Sequence, residues 1–103
     1  MARVRAGRLE AFPIGRPVLV VLEGRRLALV RSADAEVHVL DDSCPHAGGP
    51  LSEGAVMGGN LICPYHTWFF DLRTGACVEG RLSENVPVFP VTIDGDEVWV
   101  DLP

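Results

Sequence analysis

The 103-residue sequence predicts an all-β fold, a small antiparallel sandwich or partly open barrel, built as a single domain over residues 1–103. Three observations carry this expectation. Short apolar and β-branched runs recur along the chain, the breaks between them carry turn chemistry, and no stretch of ten residues has helical periodicity. The length suits one compact domain and is too short for two ordinary ones.

The elements follow in order. Residues 18–22 and 27–31 flank Glu23-Gly24-Arg25 and read as a hairpin. In residues 36–40, alternation places Val37 and Val39 on one face and His38 on the other. Val56-Met57 and Leu61-Ile62 flank Gly58-Gly59-Asn60, and residues 68–72 run into Arg73-Thr74-Gly75 before a short segment at 76–78. Residues 91–93 and 98–100 flank Asp94-Gly95-Asp96, the strongest local hairpin signal. Pro87 and Pro90 fit an edge or irregular strand and oppose a helix.

Nine arginines, no lysine and fourteen acids give a net charge of −5. The distribution is uneven: residues 1–31 carry seven arginines against Glu10 and Glu23, whereas the rest carries Arg73 and Arg81 against twelve acids. The acidic body excludes a nucleic-acid partner, which needs clustered basic residues. Arg3, Arg5 and Arg8 read as a solvated edge. No run approaches the roughly 18 apolar residues of a membrane span, so no membrane partner is expected. Arg25-Arg26 lies too far into the chain for a twin-arginine signal and precedes a strand-like run, which makes the cytoplasm the expected location.

Three cysteines are too few, and odd in number, for a disulfide-stapled domain. Two of them sit in matching segments, Cys44-Pro45-His46 and Cys63-Pro64-Tyr65-His66, with 16 residues between His46 and Cys63. Each segment offers a thiolate and an imidazole after a strand. Proline stiffens the backbone beside each cysteine, and Gly48, Gly49, Gly54, Gly58 and Gly59 let it approach a bulky group. A lone cysteine is often only a small buried apolar residue, and a lone histidine a hydrogen-bonded filler. Two Cys-Pro pairs each joined to a histidine need another explanation. Four such ligands suit either zinc or an iron–sulfur cluster, although zinc fingers usually pair cysteine with cysteine and histidine with histidine.

The pattern Cys-x-His, 16 residues, Cys-x-x-His resembles the Rieske 2Fe-2S motif. The surrounding residues 44–54 and 63–75, together with residues 86–91 and the closing hairpin, extend the resemblance over most of the chain. It implies one 2Fe-2S cluster, with Cys44 and Cys63 on one iron and His46 and His66 on the other. The cluster would sit at the tip of a two-loop cluster-binding subdomain, approximately residues 42–78. Formal charges of two ferric ions, two sulfides and two thiolates cancel, whereas four thiolates would leave a dianion that is harder to reduce. Histidine ligation accordingly places Rieske centres at roughly −150 to +300 mV, against about −400 mV for plant-type ferredoxins. The added electron also raises the pKa of the ligated imidazoles, coupling reduction to proton uptake at alkaline pH.

Rieske proteins of cytochrome bc complexes resemble this sequence but carry a further cysteine in each loop, joined as a disulfide, where this chain has Gly49 and Tyr65. They also carry serine and tyrosine, whose hydroxyls donate to cluster sulfurs, where this chain has Trp68 and Phe70. Without those donors the potential is expected near the low end of the Rieske range. The resemblance therefore implies an electron-carrying ferredoxin rather than an enzyme, linking a flavin reductase as donor to an oxygenase or other reductase as acceptor. The alternative is a small subunit of an NADH-dependent assimilatory nitrite reductase. Outside the motif, Cys77 reads as buried packing and His38 as structural. Trp68, Phe69 and Phe70 read as a lid and core beneath the cluster, and Pro50 and Leu51 as its shield.

Overall fold

The computed structural model describes residues 2–45, 48–65, 67–79 and 84–103. These form eleven strands: β1 (Ala2–Arg8), β2 (Pro17–Leu22), β3 (Arg25–Ala33), β4 (Glu36–Asp41), β5 (Ala55–Met57), β6 (Asn60–Ile62), β7 (Phe69–Asp71), β8 (Cys77–Glu79), β9 (Val88–Phe89), β10 (Val91–Asp94) and β11 (Glu97–Leu102). Three antiparallel sheets result, in the orders β1-β11-β10, β2-β3-β4-β9 and β5-β6-β7-β8. Short 3-10 turns at Leu9–Ala11 and Leu51–Glu53 are the described helical elements. The all-β expectation holds.

The turns follow from their residues. Glu23 and Gly24 both have positive φ, 51° and 76°, as do Gly58 and Gly59 at 58° and 79°. Two consecutive left-handed residues match the right-handed twist of the strands they join, so β2–β3 and β5–β6 close in two residues. Gly95, at φ 64°, opens the two-residue turn between β10 and β11. Gly58 and Gly59 thus serve a hairpin and nothing lies within 4 Å of a Cβ built on either, so they do not provide the close approach expected of them.

The β2-β3-β4-β9 sheet is the middle layer. Along β3, Leu27 and Leu29 point into a core with Phe12, Val39, Val98 and Val100, while Ala28 and Val30 point into a second core with Leu40, Leu51, Leu61 and Phe70. A strand buried on both faces has no polar face to show, which is why residues 27–30 read as an unbroken apolar run. Val37 and Val39 share the first core, on the face opposite His38, as alternation requires. The second core supports the β5-β6-β7-β8 sheet and the two Cys/His segments.

β1 was not legible as a strand. It pairs with β11 in a register that sets Arg3 opposite Asp101 and Val4 opposite Val100. Arg3 lies 3.3 Å from Asp101, Arg5 2.7 Å from Glu97, and Arg8 bonds Asp96 and Glu10. The basic start of the chain is the solvated edge expected of it, an edge strand whose exposed arginines face the acids of the chain's other end. Such exposed pairs contribute little individually.

Candidate metal centre

Two loops carry the matching segments, and their backbones are congruent. In the first, the Cys44 N–H donates to the Gly49 carbonyl at 2.9 Å and the Gly48 N–H to the Cys44 carbonyl at 2.7 Å. In the second, the Cys63 N–H donates to the Trp68 carbonyl at 2.9 Å and the Thr67 N–H to the Cys63 carbonyl at 3.1 Å. Each loop is thus closed by bonds from the cysteine to the fourth and fifth residues beyond it. The flanks also correspond: Ser43 bridges Pro50 as Ile62 pairs with Phe69. At the fourth position both chains are left-handed, with Gly48 at φ 67° and Thr67 at φ 52°. Glycine takes this conformation freely, whereas a β-branched residue there is strained at a cost of order 1–3 kcal/mol.

Both loops put cysteine at the same station with the thiol turned inward. Cys44 and Cys63 are 1% and 0% exposed and belong to one core with Leu51, Leu61, Phe70, Leu72 and Cys77. None of the three cysteines is in a disulfide. His46 and His66 lie outside the described residues, as do Met1, Ala47 and residues 80–83. Two buried soft donors on neighbouring congruent loops fit a thiolate-held group between them. Among the described residues, no group of three or more His, Cys, Asp or Glu side chains gathers to hold a metal elsewhere.

The loops are anchored from below. Asp42, 4% exposed, accepts the Ser52 N–H on its carboxylate at 2.7 Å, and its carbonyl accepts the Leu51 N–H at 2.6 Å. Its own N–H donates to the Arg26 carbonyl at 3.1 Å, tying the entry of the first loop to the middle sheet. The neighbouring Asp41 carboxylate accepts the Ser43 N–H at 2.9 Å. Gly54 lies so close to β6 that a Cβ on it would sit 1.8 Å from the Ile62 carbonyl oxygen, which makes it a true close-approach glycine. Asp42 escaped the sequence reading. Its signal was an acidic pair, Asp41-Asp42, at the end of an apolar strand just before Cys44.

The remaining assignments divide as follows. Leu51 and Phe70 are fully buried beneath the loops, and Trp68 is half-buried against the same core. Cys77 is 4% exposed in that core, with its Sγ 3.5 Å from the Glu79 carbonyl oxygen and its N–H on Asn85 Oδ1, in keeping with packing. His38 lies 3.8 Å from Glu36 on β4. The Ser32 hydroxyl, then the nearby His38 and Arg73, hold the Glu36 carboxyl below its ordinary range.

A family model described as Rieske [2Fe-2S] domain matches residues 2–90. The chain is 32% identical over 99 residues to the ferredoxin component of the naphthalene 1,2-dioxygenase system of Pseudomonas aeruginosa, covering 96% of this chain and 94% of that one. It is 47% identical over 104 residues to 4beta-methylsterol monooxygenase of Methylococcus capsulatus, covering 91% of this chain but spanning only 27% of that protein. Among solved structures, the ferredoxin of carbazole 1,9a-dioxygenase from Nocardioides aromaticivorans IC177 superposes with a TM-score of 0.93 at 28% identity over the whole of both chains. A putative NADH-dependent nitrite reductase small subunit from Mycobacterium tuberculosis superposes at 0.88 with 26% identity, covering 99% of this chain and 96% of that one.

Proposed function

Because the chain belongs to the Rieske [2Fe-2S] domain family, we propose that it carries single electrons between a reductase and a terminal oxygenase, with Cys44, His46, Cys63 and His66 as its cluster ligands. The observation that carries this reading is the pair of congruent loops with both thiols buried. When bound, the 2Fe-2S cluster supplies a one-electron couple whose oxidised form, counted with its two thiolates, is formally neutral. Cys44 and Cys63 would hold one iron through sulfur, and His46 and His66 the other through nitrogen.

The other residues act around those four. Leu51, Leu61 and Phe70 exclude water from the protein side, which lowers the local dielectric and strengthens every contact to the thiolates. Pro45, Pro64 and Tyr65 are exposed and leave the tip of the loops open to a partner. Small, briefly held interfaces suit redox encounters. Residues 42–78 then form the cluster-binding part of the domain, and the middle sheet its base.

A flavin reductase is the proposed donor and an oxygenase the proposed acceptor. The similarity to an oxygenase-system ferredoxin along nearly its full length supports a carrier rather than a catalyst. The nitrite reductase reading has the superposition on a small subunit in its favour. Among the described residues no helix is long and apolar enough to cross a membrane. Thiolate ligands are best preserved in a reducing compartment, so the cytoplasm is proposed. The experiment is affinity isolation of the chain from its native source, followed by stopped-flow reduction with a flavin reductase. Rapid reduction of the isolated chain without a stable partner is expected. Recovery in a stable complex with a large sirohaem-bearing subunit would favour the alternative.

A further inference from the structure

The second loop lays an aromatic ring on the backbone of the first. A Cβ built on Gly49 would stand 2.8 Å from Tyr65 Cδ2, 3.1 Å from Cε2 and 3.2 Å from Cγ, closer than side chains tolerate. Gly49 is not among the residues with positive φ, so its backbone would accept any residue; the ring is what demands glycine there. Gly49 is buried even though it lies at the loop tip, whereas Tyr65 itself is 62% exposed. One face of the residue thus covers backbone while much of it meets solvent. The backbone beneath it matters, because the Gly49 carbonyl accepts the Cys44 N–H that closes the first loop.

From this we infer that Tyr65 and Gly49 form a matched pair, an uncharged clasp that holds the two ligand loops together at their tip and slows release of whatever they hold. At the base the loops are joined by the close approach of Gly54 to Ile62 and the pairing of β5 with β6. The clasp does the corresponding work at the open end, where the loops would otherwise separate first. It packs on Gly49, whose carbonyl accepts the Cys44 N–H, and a bond held by such packing opens more slowly than one left unsupported in water. It contains no group that a change of redox state would break. Tyr65 is a positioning residue in this account, acting through the loop that carries Cys44. The inference rests on the reading of Cys44 and Cys63 as ligands.

The test is cluster retention in the holoprotein, followed by loss of visible absorbance in excess iron chelator, with deuterium exchange of residues 44–49 measured in parallel. Tyr65→Phe keeps the ring and should match the wild type. Tyr65→Ser should lose its cluster on the order of tenfold faster, the size expected for one lost aromatic contact, and should exchange faster at 44–49. Gly49→Ala should also be faster, but Gly49→Ala combined with Tyr65→Ser should be no faster than Tyr65→Ser alone, because the methyl group then meets no ring. The Gly49 Cβ position lies at most one carbon–carbon bond beyond 3.2 Å from the Tyr65 Cβ, near the roughly 3.5–4.5 Å that disulfides span. Gly49→Cys with Tyr65→Cys should therefore regain retention when oxidised and lose it when the bridge is reduced. Additive effects of Gly49→Ala and Tyr65→Ser, or a Tyr65→Ser protein indistinguishable from wild type, would overturn the clasp. Failure of the ligand reading shows separately, as Cys44→Ser and Cys63→Ser proteins that keep their cluster. The clasp is then still decided by the exchange at 44–49, which needs no cluster.

Discussion

Replacing Asp42 with alanine removes the strut beneath the first ligand loop. In the folded chain the carboxylate accepts the Ser52 N–H at 2.7 Å and is almost completely buried. The substitution leaves that N–H without an acceptor in a site with little access to water, and a bond to a charged group is lost with it. Losses of this kind cost about 1–3 kcal/mol. For a domain of this size that corresponds to a fall in melting temperature of roughly 5–20 °C. The backbone bonds from Asp42 to Leu51 and Arg26 do not involve the side chain and remain available. Asp42→Asn keeps an Oδ1 acceptor and should recover at least half of the loss. The assay is thermal unfolding of the holoproteins at one scan rate, read by far-ultraviolet circular dichroism and by the visible band together. The visible band should fail first in Asp42→Ala, since the damage is local to the loop. A melting temperature unchanged from wild type would refute the strut, and equal losses for alanine and asparagine would refute the hydrogen bond as its cause.

Gly54→Ala should yield little folded protein, because its Cβ meets a backbone carbonyl at 1.8 Å that cannot swing aside; soluble yield and circular dichroism check this. Cys77→Ala should keep both irons by elemental analysis, at a stability cost of about 1 kcal/mol, since its thiol packs rather than ligates. Trp68→Ser should raise the midpoint potential through a new hydroxyl donor to the cluster, and an unchanged potential in a well-folded variant would contradict the hydrogen-bond account. The Arg5 guanidinium, by hydrogen bond and then by charge, holds the Glu97 carboxyl below its ordinary range. That pair stabilises the fold above the ordinary carboxylate range, and the effect is lost as pH falls through the lowered folded value. Arg5→Ala should therefore return Glu97 toward its ordinary value in a carboxyl-carbon NMR titration, with a shallower loss of stability in acid.

Residues that announce a turn could be read directly. Gly24, Gly58-Gly59 and Gly95 marked hairpins because glycine freely takes the positive φ that two-residue turns need. The run at 27–30 was legible as a strand through the hairpin turn before it, and its burial on both faces emerges only from the two cores it joins. β1 was missed although Arg3-Val4-Arg5-Ala6 alternates as a strand does, because no turn signal joins it to a neighbour and its partner β11 lies at the far end of the chain. The cysteine stations were equally visible from spacing. What spacing could not convey was that the loops share one hydrogen-bond plan, since Gly48 advertises a left-handed residue and Thr67 does not. Nor could it show that Gly49 is glycine for the sake of Tyr65, a contact between segments sixteen residues apart in sequence. Asp42 acquires its role only once Ser52 has been folded back over it.

The central claim is that this chain holds a 2Fe-2S cluster through two sulfurs and two imidazole nitrogens. Electron–nuclear double resonance on the reduced protein tests it most directly. The account predicts one unpaired electron per chain, coupled to two imidazole nitrogens, with one coupling lost in His46→Cys and the other in His66→Cys. A reduced cluster with no strongly coupled nitrogen, or a colourless protein holding one zinc, would contradict it.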